Sequence, residues 1–153
     1  MRNIKFFLSR AHRECGRLLA AIEDAARSQD WSQTESRAEA LVSALAVQIA
    51  SEEEVLFPCI DGGNRFPGPL SSKLRAQHAM MRVLSRQLTK GAAIRDARVV
   101  AEAAGELAKI LRDHSNREES AIVPAVDTLR GVQADRLIAN MEHVAESSRR
   151  MAS

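Results

Sequence analysis

Four histidines and a set of glutamates carry the potential chemistry of this chain, and most of them occur twice. At an offset of 66 residues His12 maps onto His78, and Glu52 and Glu53 map onto Glu118 and Glu119. Pro58 maps onto Pro124, Asp61 onto Asp127 and Asp30 onto Asp96, while Leu8, Leu18, Leu41 and Leu45 map onto Leu74, Leu84, Leu107 and Leu111, with no gap. One chemical position breaks the symmetry: His114 is matched by Gln48. Imidazole and carboxylate together, without thiolate, make a mixed N/O donor set that suits iron or manganese, with zinc as a common substitute. His114 and Glu118 stand four apart, a spacing that puts both on one helix face; Gln48 and Glu52 keep the spacing with an amide in place of the imidazole.

The elements that would position these residues read as helices. Alanine is abundant, aromatics are 3% and Tyr is absent, which favours helix over a β-sandwich. Leu8, His12, Cys15, Leu19 and Ile22 form one stripe of a helix over about 3–27. Asp30 caps a second helix, with Gln33 three residues on, running from Trp31 to about Ile60 with stripe Leu41, Leu45, Gln48, Glu52, Val55 or Leu56, and Cys59. Pro58 should kink or tighten its last turn. Asp61–Pro69 is the densest turn signal and reads as a loop. A third helix covers about 70–88 with Leu74, His78, Met81, Leu84 and Leu88 on its stripe, and Lys90–Arg95 reads as a short loop. Asp96 caps a fourth helix bearing Leu107, Leu111, His114, Glu118 and Ile122, with Pro124 repeating Pro58 and Gly131 ending the element. A fifth, shorter helix over about 132–147 carries Leu137, Ile138, Met141 and Val144, and is expected on the outside of the bundle or on a partner. The fold class is therefore all-α: an up-down-up-down four-helix bundle over about 3–130 with an additional C-terminal helix, in a single domain spanning 1–153.

In an antiparallel bundle the polar stripe residues fall near one level. At about 1.5 Å per residue, His12 lies roughly 14 Å into the first helix, and Glu52, His78, His114 and Glu118 lie at comparable heights in theirs. Two carboxylates and three imidazoles are thus expected to converge inside the core, with tips on the order of 4–7 Å apart. Buried carboxylates must be protonated, paired or bound to a cation. Arg and Lys are nearly absent from these stripes, so a divalent metal is the simplest resolution. A lone stripe histidine is more often a hydrogen-bonded core residue; the repeat is what favours ligation. Glu53 and Glu54 read as a solvated face, Met80 and Met81 as packing residues, and Cys15 as a buried structural thiol. His143 has no counterpart in the repeat and reads as a surface or packing residue.

Composition excludes several classes. Net charge is +2 with both signs interspersed, so there is no basic stripe for nucleic acid. No apolar run is long enough for a membrane span, and no signal peptide is evident. Cys15 and Cys59, about 16 Å apart in height, make no disulfide framework, and a reducing cytoplasm is the expected compartment.

The segments EEEVLFP at 52–58 and HSNREESAIVP at 114–124, with AHRECGRLL at 11–19 and LRAQHAMMRVL at 74–84, resemble the hemerythrin-like family of HHE cation-binding domains over about 8–127. The resemblance implies His12, His78 and His114 as imidazole ligands, and Glu52 and Glu118 as carboxylates bridging two irons. It implies non-haem iron, as a di-iron or mononuclear centre, with an open position for a small ligand such as O2 or NO, and roles in binding, sensing, redox defence or iron handling. The chain departs from the family at Gln48, where a histidine is usual, and has Leu74 or Arg82 where a second helix-three histidine can stand. The competing reading is a degenerate bundle without stable metal binding that acts as an interaction module. An enzyme ranks last, because no general base stands outside the ligand set. A homodimer through the outer or C-terminal helix completes the expectations.

Overall fold

The computed structural model describes residues 3–62, 68–129 and 131–152. Helix α1 spans Ile4–Arg27, and the Asn3 side chain caps it by accepting from the Phe6 N–H. Helix α2 begins at Trp31, where the Asp30 carboxylate accepts from the Gln33 N–H. Its regular part Trp31–Ser51 continues through a π-helical turn, Glu52–Leu56, into Phe57–Ile60. Helix α3 is Pro69–Ala93. Helix α4 starts at Ala97 under an Asp96 cap, and its regular part Ala97–Arg117 passes through a second π turn, Glu118–Ile122, into Val123–Asp127. Helix α5 is Gly131–Met151. The first four helices pack side by side in chain order and α4 closes back on α1, which makes the four-helix bundle.

The two π turns are themselves a repeat. Each begins at the stripe glutamate and ends before the proline that lacks an N–H. The Phe57 and Val123 N–H groups reach back five residues to the Glu52 and Glu118 carbonyls. The sequence anticipates a kink at these prolines; the helix instead widens by one residue, a distortion frequent at functional sites.

Three further differences have physical causes. The expected loop at Lys90–Arg95 is still helix as far as Ala93. Gly91 is there for close approach: a Cβ on it would lie 2.8 Å from Val99 Cγ1 and 3.1 Å from the Val100 backbone nitrogen. The turn itself is made by Ile94 and by Arg95 at φ 57. Gly131 opens α5 rather than closing α4. The expected loop Asp61–Pro69 falls largely on 63–67, outside the described residues, and Pro69 already begins α3.

The core is split in two. Cys15, Leu18, Ile22, Leu41, Leu45, Met81, Leu88, Leu107 and Leu111 belong to one apolar cluster. Ile4, Leu8, Leu56, Phe57, Leu74, Ile122 and Val126 belong to another, which Leu137, Ile138 and Met141 of α5 complete. Helix α5 also packs along α2. It therefore closes one end of the bundle with its own buried residues. Among the described residues no helix is long and apolar enough to cross a membrane. Cys15 is buried and Cys59 exposed, and both are free thiols.

Candidate metal centre

Each bundle helix crosses from one apolar cluster to the other, and at each crossing it carries a polar side chain. On α1 the order is Leu8, His12, Cys15; on α2 it is Ile49, Glu52, Leu56. On α3 it is Leu74, His78, Met81; on α4 it is Leu111, His114, Glu118, Ile122. Helical spacing on four antiparallel rods thus assembles a polar layer between two greasy ones. Glu52, His78 and His114 are fully buried and Glu118 is 1% exposed.

The donor atoms meet. The ligand atoms of His12, Glu52, His114 and Glu118 all lie within 4.8 Å of one another. Glu52 Oε2 is 2.9 Å from His78 Nε2 and 3.2 Å from His114 Nε2. His12 Nε2 is 2.8 Å from Glu118 Oε2, and His114 Nε2 is 3.4 Å from Glu118 Oε1. The structure thus gathers His12, Glu52, His114 and Glu118 into one cluster, and His78 lies outside that mutual cluster but joins it through Glu52. Gln48 is also buried, but its Oε1 accepts from the Cys15 thiol at 3.7 Å.

Proximity is not satisfaction here. His12 Nε2, Glu52 Oε1 and both Glu118 oxygens are buried without a hydrogen-bond partner. The 2.8 Å His12–Glu118 contact is close but not aligned as a hydrogen bond, so it leaves both atoms with free lone pairs or protons. A buried unmade hydrogen bond costs roughly 1–3 kcal/mol, more for a charged group. A cation at this spot would use these atoms together. The donor set, imidazole nitrogen and carboxylate oxygen, fits iron or manganese.

The far side of each imidazole is held by a residue that turns Nε2 toward the centre. His78 Nδ1 is 2.9 Å from Glu53 Oε1, and Glu53 Oε2 in turn accepts from Arg82 at 3.2 Å. His114 Nδ1 is 3.2 Å from Gln77 Oε1, while the Gln77 amide N–H donates to Asp113 at 2.6 Å and Arg117 donates to the same carboxylate at 2.8 Å. His12 Nδ1 is 3.0 Å from the Ser115 hydroxyl. Because Glu53 and Gln77 present oxygens to Nδ1 of His78 and His114, Nε2 is the ring nitrogen left to face Glu52 and the centre. Phe57 stacks on His78 at 5.4 Å, and the Arg75 guanidinium lies over the Phe57 ring, 5.2 Å from its centroid.

Glu53, Gln77 and Ser115 are thus site residues that the sequence reading missed. Glu53 is a tether to His78, not simply a solvated face, and its side chain is 25% exposed. The only signal was its place beside Glu52. Gln77 and Ser115 each adjoin a site histidine in sequence and give no sign of reaching across to another helix.

Electrostatics follow the geometry. Burial pushes Glu52 toward protonation, but hydrogen bonds from His114 and His78 overcome it and hold the carboxyl well below the usual range. Burial pushes His114 down, and the facing Glu118 and Glu52 carboxylates overcome that and raise it to about 10. Burial raises the Cys15 thiol to about 12, helped by Glu52 and Glu14, so this thiol stays protonated.

A helical bundle with a buried histidine–glutamate layer at its centre is the class that this fold and site define. A family model, the Hemerythrin HHE cation binding domain, matches residues 5–126, and the chain belongs to that family. Searches of curated proteins and of solved structures give no match.

Proposed function

We propose that this protein is a non-haem iron protein whose centre takes a small ligand such as O2 or NO, in a binding, sensing, redox or iron-handling role in the cytoplasm. The observation that carries the reading is the sorting of donor atoms. His12 Nε2 pairs with Glu118 Oε2, while His78 and His114 Nε2 pair with Glu52 Oε2. Glu118 Oε1 is turned toward His114, and Glu52 Oε1 has no partner. Each carboxylate therefore has one oxygen for each of two neighbouring positions, which favours two irons over one. His12 would serve the first position and His78 with His114 the second. Bound iron would supply electrons and an open coordination position; the protein supplies ligands, their tethers and a water-poor setting. Manganese or zinc would satisfy the same donors as substitutes.

The test is iron content per chain after anaerobic loading, with the optical spectrum before and after O2 or NO. Retained iron, and a spectrum that responds to either gas, support the reading. Failure to hold iron, or equal iron in a His114→Ala, Glu118→Ala double variant, overturns it and leaves the bundle as an interaction module.

A further inference from the structure

The two half-sites differ where the second has His114 and the first has Gln48, and Gln48 borders a groove. On α4, His114 is fully buried, its Nδ1 is tied to Gln77 and its Nε2 reaches both carboxylates. Its counterpart on α2 is Gln48. The Gln48 amide oxygen is turned to the Cys15 thiol, which leaves Nε2 buried at a residue exposure of 3% with no hydrogen-bond partner. The residue that corresponds to Cys15 in the second half is Met81, which has no proton to donate. The thiol and the amide therefore go together as a device of the first half-site.

Gln48 also lines a cavity of about 1170 Å³ between α1, α2 and α5 that opens to solvent. Arg10, Arg13 and Arg17 of α1 border it, as do Glu14 of α1 and Glu142 and Glu146 of α5. The Arg17 guanidinium is already engaged by Glu14, at 2.7 and 3.1 Å. His114 is thus fully buried, whereas Gln48, at the matching position of the first half-site, borders a groove open to solvent. An amide whose oxygen is occupied can offer only its N–H2. Such a donor is of little use to a cation and suits an acceptor atom of a bound ligand.

Resting on the iron-site reading above, we propose that Gln48 is a ligand-recognition residue and not a metal ligand. Its Nε2 donates to the acceptor oxygen of a small anionic ligand that enters through the α1–α2–α5 groove and binds the iron that His12 and Glu118 would hold. Cys15 is the positioning residue that fixes which end of the amide faces that ligand. The C-terminal helix is the outer wall of the route.

Formate is a suitable probe, since it is small, anionic and presents oxygen acceptors. The protein is loaded anaerobically with Fe(II), iron per chain is measured, and formate is titrated calorimetrically. Wild type binds formate. Gln48→Leu, close in size but without a donor, keeps its iron and weakens formate binding about tenfold or more, the worth of one hydrogen bond to a charged acceptor. Gln48→Glu keeps the side-chain length and places a negative charge at the same spot, so it holds iron at least as well and rejects formate more strongly; it stands in if Gln48→Leu fails to fold. Val47→Trp, in the groove wall beside Gln48, slows formate association and leaves iron content unchanged.

Three results overturn the proposal while the iron reading stands: iron-loaded wild type that binds no formate, formate affinity untouched by either Gln48 variant, or an unchanged association rate in Val47→Trp. Loss of iron in Gln48→Leu overturns it differently, by making the amide a metal ligand. A wild type that holds no iron defeats both readings, and the metal measurement identifies that case.

Discussion

Replacing Glu52 by Gln tests the centre most directly, because one side chain is asked to do two separable things. Without metal, Glu52 Oε2 faces both imidazoles, at 2.9 Å from His78 and 3.2 Å from His114, in a fully buried setting. Removing one partner of a buried pair costs roughly 3–5 kcal/mol. His114 can shed its proton once the carboxylate is gone, so the lower end, about 3 kcal/mol, is expected. For a chain of 153 residues, each kcal/mol is worth about 2–4 °C, so the metal-free variant should melt roughly 6–12 °C lower. With metal, the bookkeeping changes. Free metal at about 100 times its Kd stabilises the folded state by about 2.7 kcal/mol, or roughly 5–11 °C. Glu52→Gln removes the carboxylate with an oxygen for each position, so most of that rise should vanish. Thermal melts by circular dichroism, with and without Fe(II) under anaerobic conditions, read both quantities on the same two proteins. A variant that melts like wild type without metal and keeps the full rise with it would show that Glu52 neither balances the histidines nor binds the ion.

The pH dependence has a definite sign. His114 is raised to about 10 in the folded protein, so its contribution is full below its unfolded value near 6.5 and is lost as pH climbs toward 10. Glu52 is lowered, so its contribution is full above its ordinary value of 4.5 and is lost as pH falls. Metal-free protein should therefore melt highest between about pH 4.5 and 6.5. Metal must displace the His114 proton, so metal affinity should rise with pH through neutrality; a flat affinity from pH 6 to 8 would contradict the assignment. Glu53→Gln keeps an acceptor for His78 Nδ1 but removes its charge, and should weaken metal binding about tenfold in chelator competition, as outer-sphere partners of histidine ligands do. Gly91→Ala should lower stability by about 1–3 kcal/mol in denaturant melts, because its Cβ would sit 2.8 Å from Val99; a neutral result would mean that the α3–α4 contact is loose.

Much of this architecture is legible in the sequence because it depends on periodicity. The stripes, the Asp30 and Asp96 caps and the repeat with its offset of 66 residues follow from local spacing, and they suffice to fix four helices and to put five polar residues at one level. What escapes is what depends on another helix. Glu53 sits off its own helix's stripe, yet α3 brings His78 to it. Ser115 belongs to α4 but serves a histidine of α1, 103 residues away. Gly91 carries a breaker's signature, and only the approach of Val99 and Val100 gives it a reason to be in a helix. The prolines announce a distortion without saying whether the helix bends or widens, since that is decided by which carbonyl the next free N–H can reach. The orientation of the Gln48 amide is likewise set by a thiol on a neighbouring helix.

The division of the core has a mechanical meaning. Among the described residues, two apolar clusters, one about Leu41 and Leu107 and the other about Phe57 and Met141, are separated by a plane of imidazoles and carboxylates. Among the described residues, oil-like contacts tie each cluster together and the polar plane lies between the two. The bundle is thus built as two blocks with a polar seam, and the seam is where local opening should cost least. An ion gripped from all four helices at that seam would work as a rivet, coupling the breathing of the two blocks and stiffening the end of the bundle that α5 closes.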